Sequence, residues 1–275
     1  MKAKKALKNT VKVLIFFIAW AICVSIGEIN SDNPAIWRFW AEAVPLLWTL
    51  LLSIIFLCIE RGKVKIPVFH NIAKGSLTGF VTGVLWIGIS AGILLLAGAQ
   101  QIVFEDEVDY LWLWILSAFI NTIMQELLAR GYIYRLLKKE YNILIAAIVS
   151  TALFTFMHSG AFEAGLIPVL NVITMSLFMT ALYEKTQNIV APILAHAVWN
   201  IAGAIILGGV SLADDYPSLF TMTSAGNVLI SGGDYKIEGS IIVLVLNILF
   251  GLFFWLSKKN TGRKGQTRGN AAAGI

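Results

Sequence analysis

Apolar residues in this chain gather into long unbroken runs, not into the alternating or one-in-three patterns that give a soluble strand or surface helix its inner face. Eight runs stand out: Val11 to Ile29, Val44 to Ile59, Leu77 to Ala99, Tyr110 to Leu137, Ile143 to His158, Leu166 to Tyr183, Ile189 to Gly208 and Ile241 to Leu256. A hydrocarbon core of about 30 Å takes roughly 20 apolar residues as helix, so each run, with flanking residues added to the shorter ones, predicts one crossing. The expected fold class is all-α, a polytopic transmembrane helix bundle of about eight spans.

The connections between runs alternate in charge. Lys2, Lys4, Lys5 and Lys8 precede the first run, and Arg61/Lys63/Lys65/Lys74, Arg135/Lys138/Lys139, Lys185 and Lys258/Lys259/Arg263/Lys264/Arg268 follow the even-numbered ones. Glu28/Asp32, Glu105 to Asp109, Glu163 and Asp214/Asp215 follow the odd-numbered ones. The positive-inside rule makes each basic connection cytoplasmic, so both termini are expected on the cytoplasmic side of the cell membrane. Trp37, Trp40, Trp112, Trp114 and Trp255 fall near span ends, where an interfacial belt is expected.

Composition agrees. Of 275 residues, 58% are hydrophobic and 13% charged, too few charges to cover one soluble domain. A net charge of +5 would suit nucleic acid, but the basic residues sit in short clusters that orient spans, so a lipid bilayer and no nucleic acid is the expected partner. Ala19-Trp20-Ala21 resembles a signal-peptidase site, yet apolar character continues to Ile29, which reads as an anchor. Cys23 and Cys58 fall at different depths, and no disulfide is expected.

The expected organisation is residues 1–109 as spans one to three, 110–208 as a core of spans four to seven, 209–260 as an external loop with the last span, and 261–275 as a disordered basic tail. The longest connection, Ser211 to Gly239, reads as a cover or lid over the bundle. Gly75, Gly79 and Gly83 repeat every four residues and predict close helix packing.

Ionisable side chains inside a span cost roughly 2.5–3.5 kcal/mol each, so they mark use or pairing. Span four carries Gln125, Glu126 and Arg130, the last two one turn apart on one face. Span five carries Phe154 and His158, and span seven His196 and Asn200, again four apart. At about 1.5 Å per residue, Gln125 rises about 21 Å above Lys139 and His158 about 25 Å above Tyr141, matching depths, whereas His196 rises only about 12 Å above Asn188. A buried carboxylate and a histidine facing one water form a base and proton shuttle, and a second histidine with an asparagine offers donors to an oxyanion. Taken alone, a membrane histidine more often bonds a neighbouring helix, and an arginine near a span end more often snorkels.

With these residues in hand, the chain resembles the CAAX-protease and bacteriocin-processing (CPBP) family of intramembrane peptidases, which includes type II CAAX prenyl endopeptidases. The family's Glu-Glu-x-x-x-Arg-Gly corresponds to Gln125, Glu126, Arg130 and Gly131, its Phe-x-x-x-His to Phe154 and His158, and its His-x-x-x-Asn to His196 and Asn200. Tyr183-Glu184-Lys185-Thr186 and Ala191-Pro192-Ile193-Leu194-Ala195 also fit. The resemblance covers Ile120 to Ile205 and implies a helical membrane peptidase acting on a peptide or lipidated-protein substrate, with Gln125, Glu126, Arg130, His158, His196 and Asn200 at its site.

The sequence departs from the family at Gln125, where the water-activating glutamate is usual and an amide cannot act as a base. Either Glu126 serves instead, or the protein binds without cutting. Such proteins are often called metalloproteases, and zinc on Glu126, His158 and His196 would make a His₂Glu site, but no His-Glu-x-x-His helix is present and a metal-free mechanism is preferred. Two other function classes use the same residues: a non-catalytic bacteriocin-immunity or scaffold protein, and a small transporter, against which stands the lack of inverted repeats. His70 reads as exposed, Asn171 as an interhelical hydrogen bond, and Glu184/Lys185 as a solvated turn.

Overall fold

The computed structural model describes residues 2–27, 29–104, 107–211 and 216–272, with the last fifteen of these, 258–272, and residues 2, 3 and 5 as backbone alone. The expected acidic charges Glu28, Glu105, Asp106, Asp214 and Asp215 lie outside the described residues; of the tail expected to be disordered, 261–272 is helical backbone and 273–275 lie outside the described residues.

In chain order the helices are α1 (Lys2–Ile26), α2 (Pro34–Ile59), α3 (Ile72–Leu96), α4 (Leu111–Arg130), α5 (Tyr132–Glu140), α6 (Ile143–Met157), α7 (Gly160–Ala164), α8 (Leu166–Thr186), α9 (Val190–Asn200), α10 (Val228–Ser231), α11 (Lys236–Gly239) and α12 (Ile241–Ala272). Two strands, β1 (Gln100–Phe104) and β2 (Phe220–Ser224), pair antiparallel from Gln100 against Ser224 to Phe104 against Phe220. Each predicted run overlaps a helix, although the Tyr110 to Leu137 run is divided at Gly131 and the runs from Val11 and Leu77 pass the ends of α1 and α3. Among the described residues, five helical segments are long and apolar enough to cross a membrane: α1, α2, α3, α4 with α5, and α8. The α10–α11 segment and α12, bent by 65°, bring this to six if the pair counts as one span, while α6 and Val190–Ile206 are shorter apolar helices. The chain is thus a multi-pass membrane protein with a helical bundle fold, and leucines and isoleucines such as Leu47, Ile54, Leu144 and Leu252 face outward as a lipid-bathed surface requires.

Local sequence explains the boundaries. Asn33 caps α2, its Oδ1 accepting from the amides of Ala35 and Ile36, with Pro34 at the first helical position, so α2 starts well before the expected Val44 and takes Glu42 into the span. Asn142 caps α6 in the same way through Ile145. Gly131 separates α4 from α5, because a Cβ there would stand 2.2 Å from the Leu127 carbonyl oxygen.

The predicted glycine seam is present. A Cβ on Gly79 would lie 2.2 Å from the Ala191 carbonyl oxygen, one on Gly83 2.7 Å from that of Ala195, and one on Gly75 3.0 Å from Asn188, so α3 meets α9 backbone to backbone. The core above this seam is aromatic, with Trp86 stacked on Trp199 at 3.8 Å and edge-on to Phe178. A second cluster gathers Phe16, Phe56 and Tyr132 where α1, α2 and α5 meet.

Two expectations need correction. Glu184 is buried and not solvated, because α5 lies across it, with Tyr134 Oη donating at 2.9 Å and Lys138 forming an ion pair, while Lys185 bonds the Ser257 carbonyl. Trp114 is buried against Tyr216 and is not part of an exposed belt, unlike Trp112. The Ser211 to Gly239 connection is more structured than a loop: β2 ties it to β1, and Gln100 Nε2 donates to Ser224 Oγ at 2.7 Å. Asn171 does bridge elements, donating to the carbonyls of Glu238 and Ser240.

Candidate active site

Three helices bring the sequence-predicted residues together. Glu126 on α4 is fully buried, and both its oxygens are engaged: Oε2 accepts from Arg130 Nη1 at 2.8 Å and Oε1 faces His196 Nδ1 at 3.0 Å. Arg130 is equally buried. Its Nη2 donates to the Ser176 carbonyl at 2.7 Å and to Ser176 Oγ at 3.0 Å, its Nε donates to Thr180 Oγ1 at 3.3 Å, and its guanidinium lies 5.1 Å over the Phe154 ring. It does not snorkel. A buried ion pair persists only when nearly every donor and acceptor is met, and α8 meets Arg130's with Ser176 and Thr180, four residues apart on one face.

The histidines are fixed by their Nδ1 atoms. His158, the C-cap residue of α6, approaches the Phe154 carbonyl oxygen with Nδ1 at 2.8 Å. A carbonyl can only accept, so Nδ1 carries the proton and Nε2 keeps its lone pair. The same reasoning applies to His196 beside the Glu126 carboxylate. The Phe154 ring sits between them, its centroid 4.3 Å from the His158 ring and 5.9 Å from that of His196, which explains what the Phe-x-x-x-His spacing provides.

Asn200, one turn beyond His196, donates through Nδ2 to Thr122 Oγ1 at 3.1 Å. It is followed by a six-residue π-helical segment, Ile201–Ile206, a widening of the helix often found next to functional residues. Gln125 is half-buried, with its Oε1 buried and unpartnered.

His196 reaches Glu126 despite its short predicted height because the start of α9 is itself buried within the protein. Asn188 is buried, donating through Nδ2 to the carbonyls of Val68 and His70, and the Ile189 amide bonds the Pro67 carbonyl. The basic connection between α2 and α3 covers the start of α9 and sets it deep, while the His70 side chain stays exposed, as expected.

Ser176, Thr180 and Thr122 escaped the sequence reading, since hydroxyls in apolar helices usually bond their own helix, as Thr180 and Thr122 also do. The available signal was the Ser176/Thr180 spacing opposite a lone buried arginine.

Among the described residues, no three His, Cys, Asp or Glu side chains group as metal ligands.

Residues 107–202 match the family model described as type II CAAX prenyl endopeptidase Rce1-like. No curated protein and no solved structure matches the chain.

Proposed function

We propose, from the premise that residues 107–202 belong to the Rce1-like branch of the CPBP family of membrane peptidases, that the chain is an intramembrane endopeptidase whose base is His196. The observation that carries this reading is the buried Arg130–Glu126–His196 chain. Glu126 accepts the Nδ1 proton, fixes the ring and stabilises the imidazolium, the role an aspartate plays beside histidine in serine proteases.

In this reading a water is held between His196 Nε2 and His158 Nε2, both acceptors in the tautomers their Nδ1 contacts require. His196 Nε2 takes one proton as the oxygen adds to the scissile carbonyl. The second hydrogen of the Asn200 amide, beyond the one given to Thr122, supports the oxyanion. The proton on His196 then passes to the leaving amine as the C–N bond breaks. Glu126 is assigned the orienting role and His196 that of base, because each Glu126 oxygen already faces a nitrogen of Arg130 or His196. Gln125 then occupies a position that this mechanism does not need as a carboxylate.

The substrate class is a peptide segment of a membrane-anchored or lipidated protein, CAAX-type or bacteriocin-leader-like, and the protein sits in the cell membrane with both termini cytoplasmic. A second reading, a non-catalytic capture or immunity protein, draws on Gln125. The test is cleavage of a membrane-anchored peptide library by the purified protein, read by mass spectrometry, for the parent, His158→Ala and Gln125→Glu. Cutting by the parent that is lost in His158→Ala supports the peptidase. Cutting by Gln125→Glu alone would make the chain a silenced relative and favour capture.

A further inference from the structure

The seam between α2 and α4 holds polar groups that the mechanism above does not use. Glu42, buried on α2, accepts from Arg38 Nη1 at 3.2 Å and from Asn121 Nδ2 on α4 at 2.6 Å. A carboxylate can only accept, so it fixes the Asn121 amide with nitrogen toward Glu42 and oxygen away. That oxygen, Asn121 Oδ1, is buried with no donor, and so is Gln125 Oε1 one turn further along the same face. Ser53 Oγ, three turns from Glu42 on the same face of α2, is also buried and unpartnered. Buried carbonyl oxygens without donors are rare and destabilising, which marks these two as waiting for a partner.

The partner must bring hydrogen-bond donors, since both orphaned groups can only accept. It must also present donors at the interval of the two acceptors. Four residues of helix rise about 6 Å. In an extended peptide the N–H groups on one edge recur every second residue, about 6.7 Å. We propose that Asn121 and Gln125 form a two-rung ladder for the backbone N–H groups of an extended substrate segment, with Glu42 as the positioning residue that points the first rung. Gln125 is then a substrate-binding residue, one position from Glu126, and a glutamine at this place is a gain in peptide recognition as well as the loss of an acid. The ladder rests on the peptidase reading for its substrate but not for its measurement, which is binding.

The experiment uses the full chain in detergent with a library of membrane-anchored peptides and the same library carrying esters in place of alternate backbone amides. Retained and cut peptides are both counted, for the parent and for Gln125→Met, a change that keeps the volume and removes the acceptor. The parent is expected to retain the amide library about a hundredfold better than a library whose esters fall on the bonded edge, the effect of two hydrogen bonds at about tenfold each. Gln125→Met, which leaves the Asn121 rung, should bring that ratio down to about tenfold while its melting temperature stays equal or rises, because an orphaned acceptor is gone. Equal retention of the two libraries by the parent overturns the ladder, as does a lower melting temperature in Gln125→Met with the ratio intact. A parent that cuts nothing but still prefers amides sinks the peptidase and keeps the ladder. A parent that cuts both libraries alike does the reverse.

Discussion

The two helix seams flanking the site are built on opposite principles. Where α3 meets α9, glycines let two backbones touch and no room is left for a side chain at Gly79 or Gly83. Where α2 meets α4, an ion pair, an asparagine and two orphaned oxygens share the interface. One wall of the site is therefore a rigid template that fixes the depth of His196, and the other is under-satisfied and suited to exchange its contacts. Under the proposed function, a bundle that holds a base still and admits a peptide would use both.

The largest effect expected comes from Arg130→Leu, at the site between the two seams. It leaves the Glu126 carboxylate buried without its cation and should cost roughly 3–5 kcal/mol, read as a large fall in thermal stability. Gly79→Ala follows, with about 1–3 kcal/mol from forcing the α3–α9 backbones apart, while Gly88→Ala on the same helix, where a Cβ meets nothing within 4 Å, should be neutral. Equal effects at the two glycines would remove the distinction between the seams. Tyr134→Phe, which deletes one hydrogen bond to Glu184 away from both seams, should cost about 1 kcal/mol in the same assay and leave peptide retention unchanged.

Much of this was legible from the order of residues. Crossing helices announce themselves by apolar length, and Glu126, Arg130, His158 and His196 by the rarity of charge in that setting. The glycine seam followed from its four-residue period. Other features had no such signal. Ser176 and Thr180 are ordinary hydroxyls until α8 is laid against Arg130. Glu42 stood outside the second predicted run because the Asn33–Pro34 cap, not hydrophobicity, decides where α2 starts. The burial of Glu184 depends on α5, and the β1–β2 pairing joins segments more than a hundred residues apart, which local pattern does not encode.

The central claim is that Glu126 acts by orienting His196 and not as the base. On a peptide that the parent cuts, Glu126→Gln keeps the shape but can offer an N–H to Nδ1 and so favour the wrong tautomer. Its kcat is expected to fall by a factor on the order of 10³–10⁴ with KM little changed, and ¹⁵N NMR of His196 should show the proton moved from Nδ1 to Nε2. An unchanged tautomer with kcat abolished would make Glu126 itself the base, and an unchanged kcat would remove the Glu126–His196 pair from the reaction altogether.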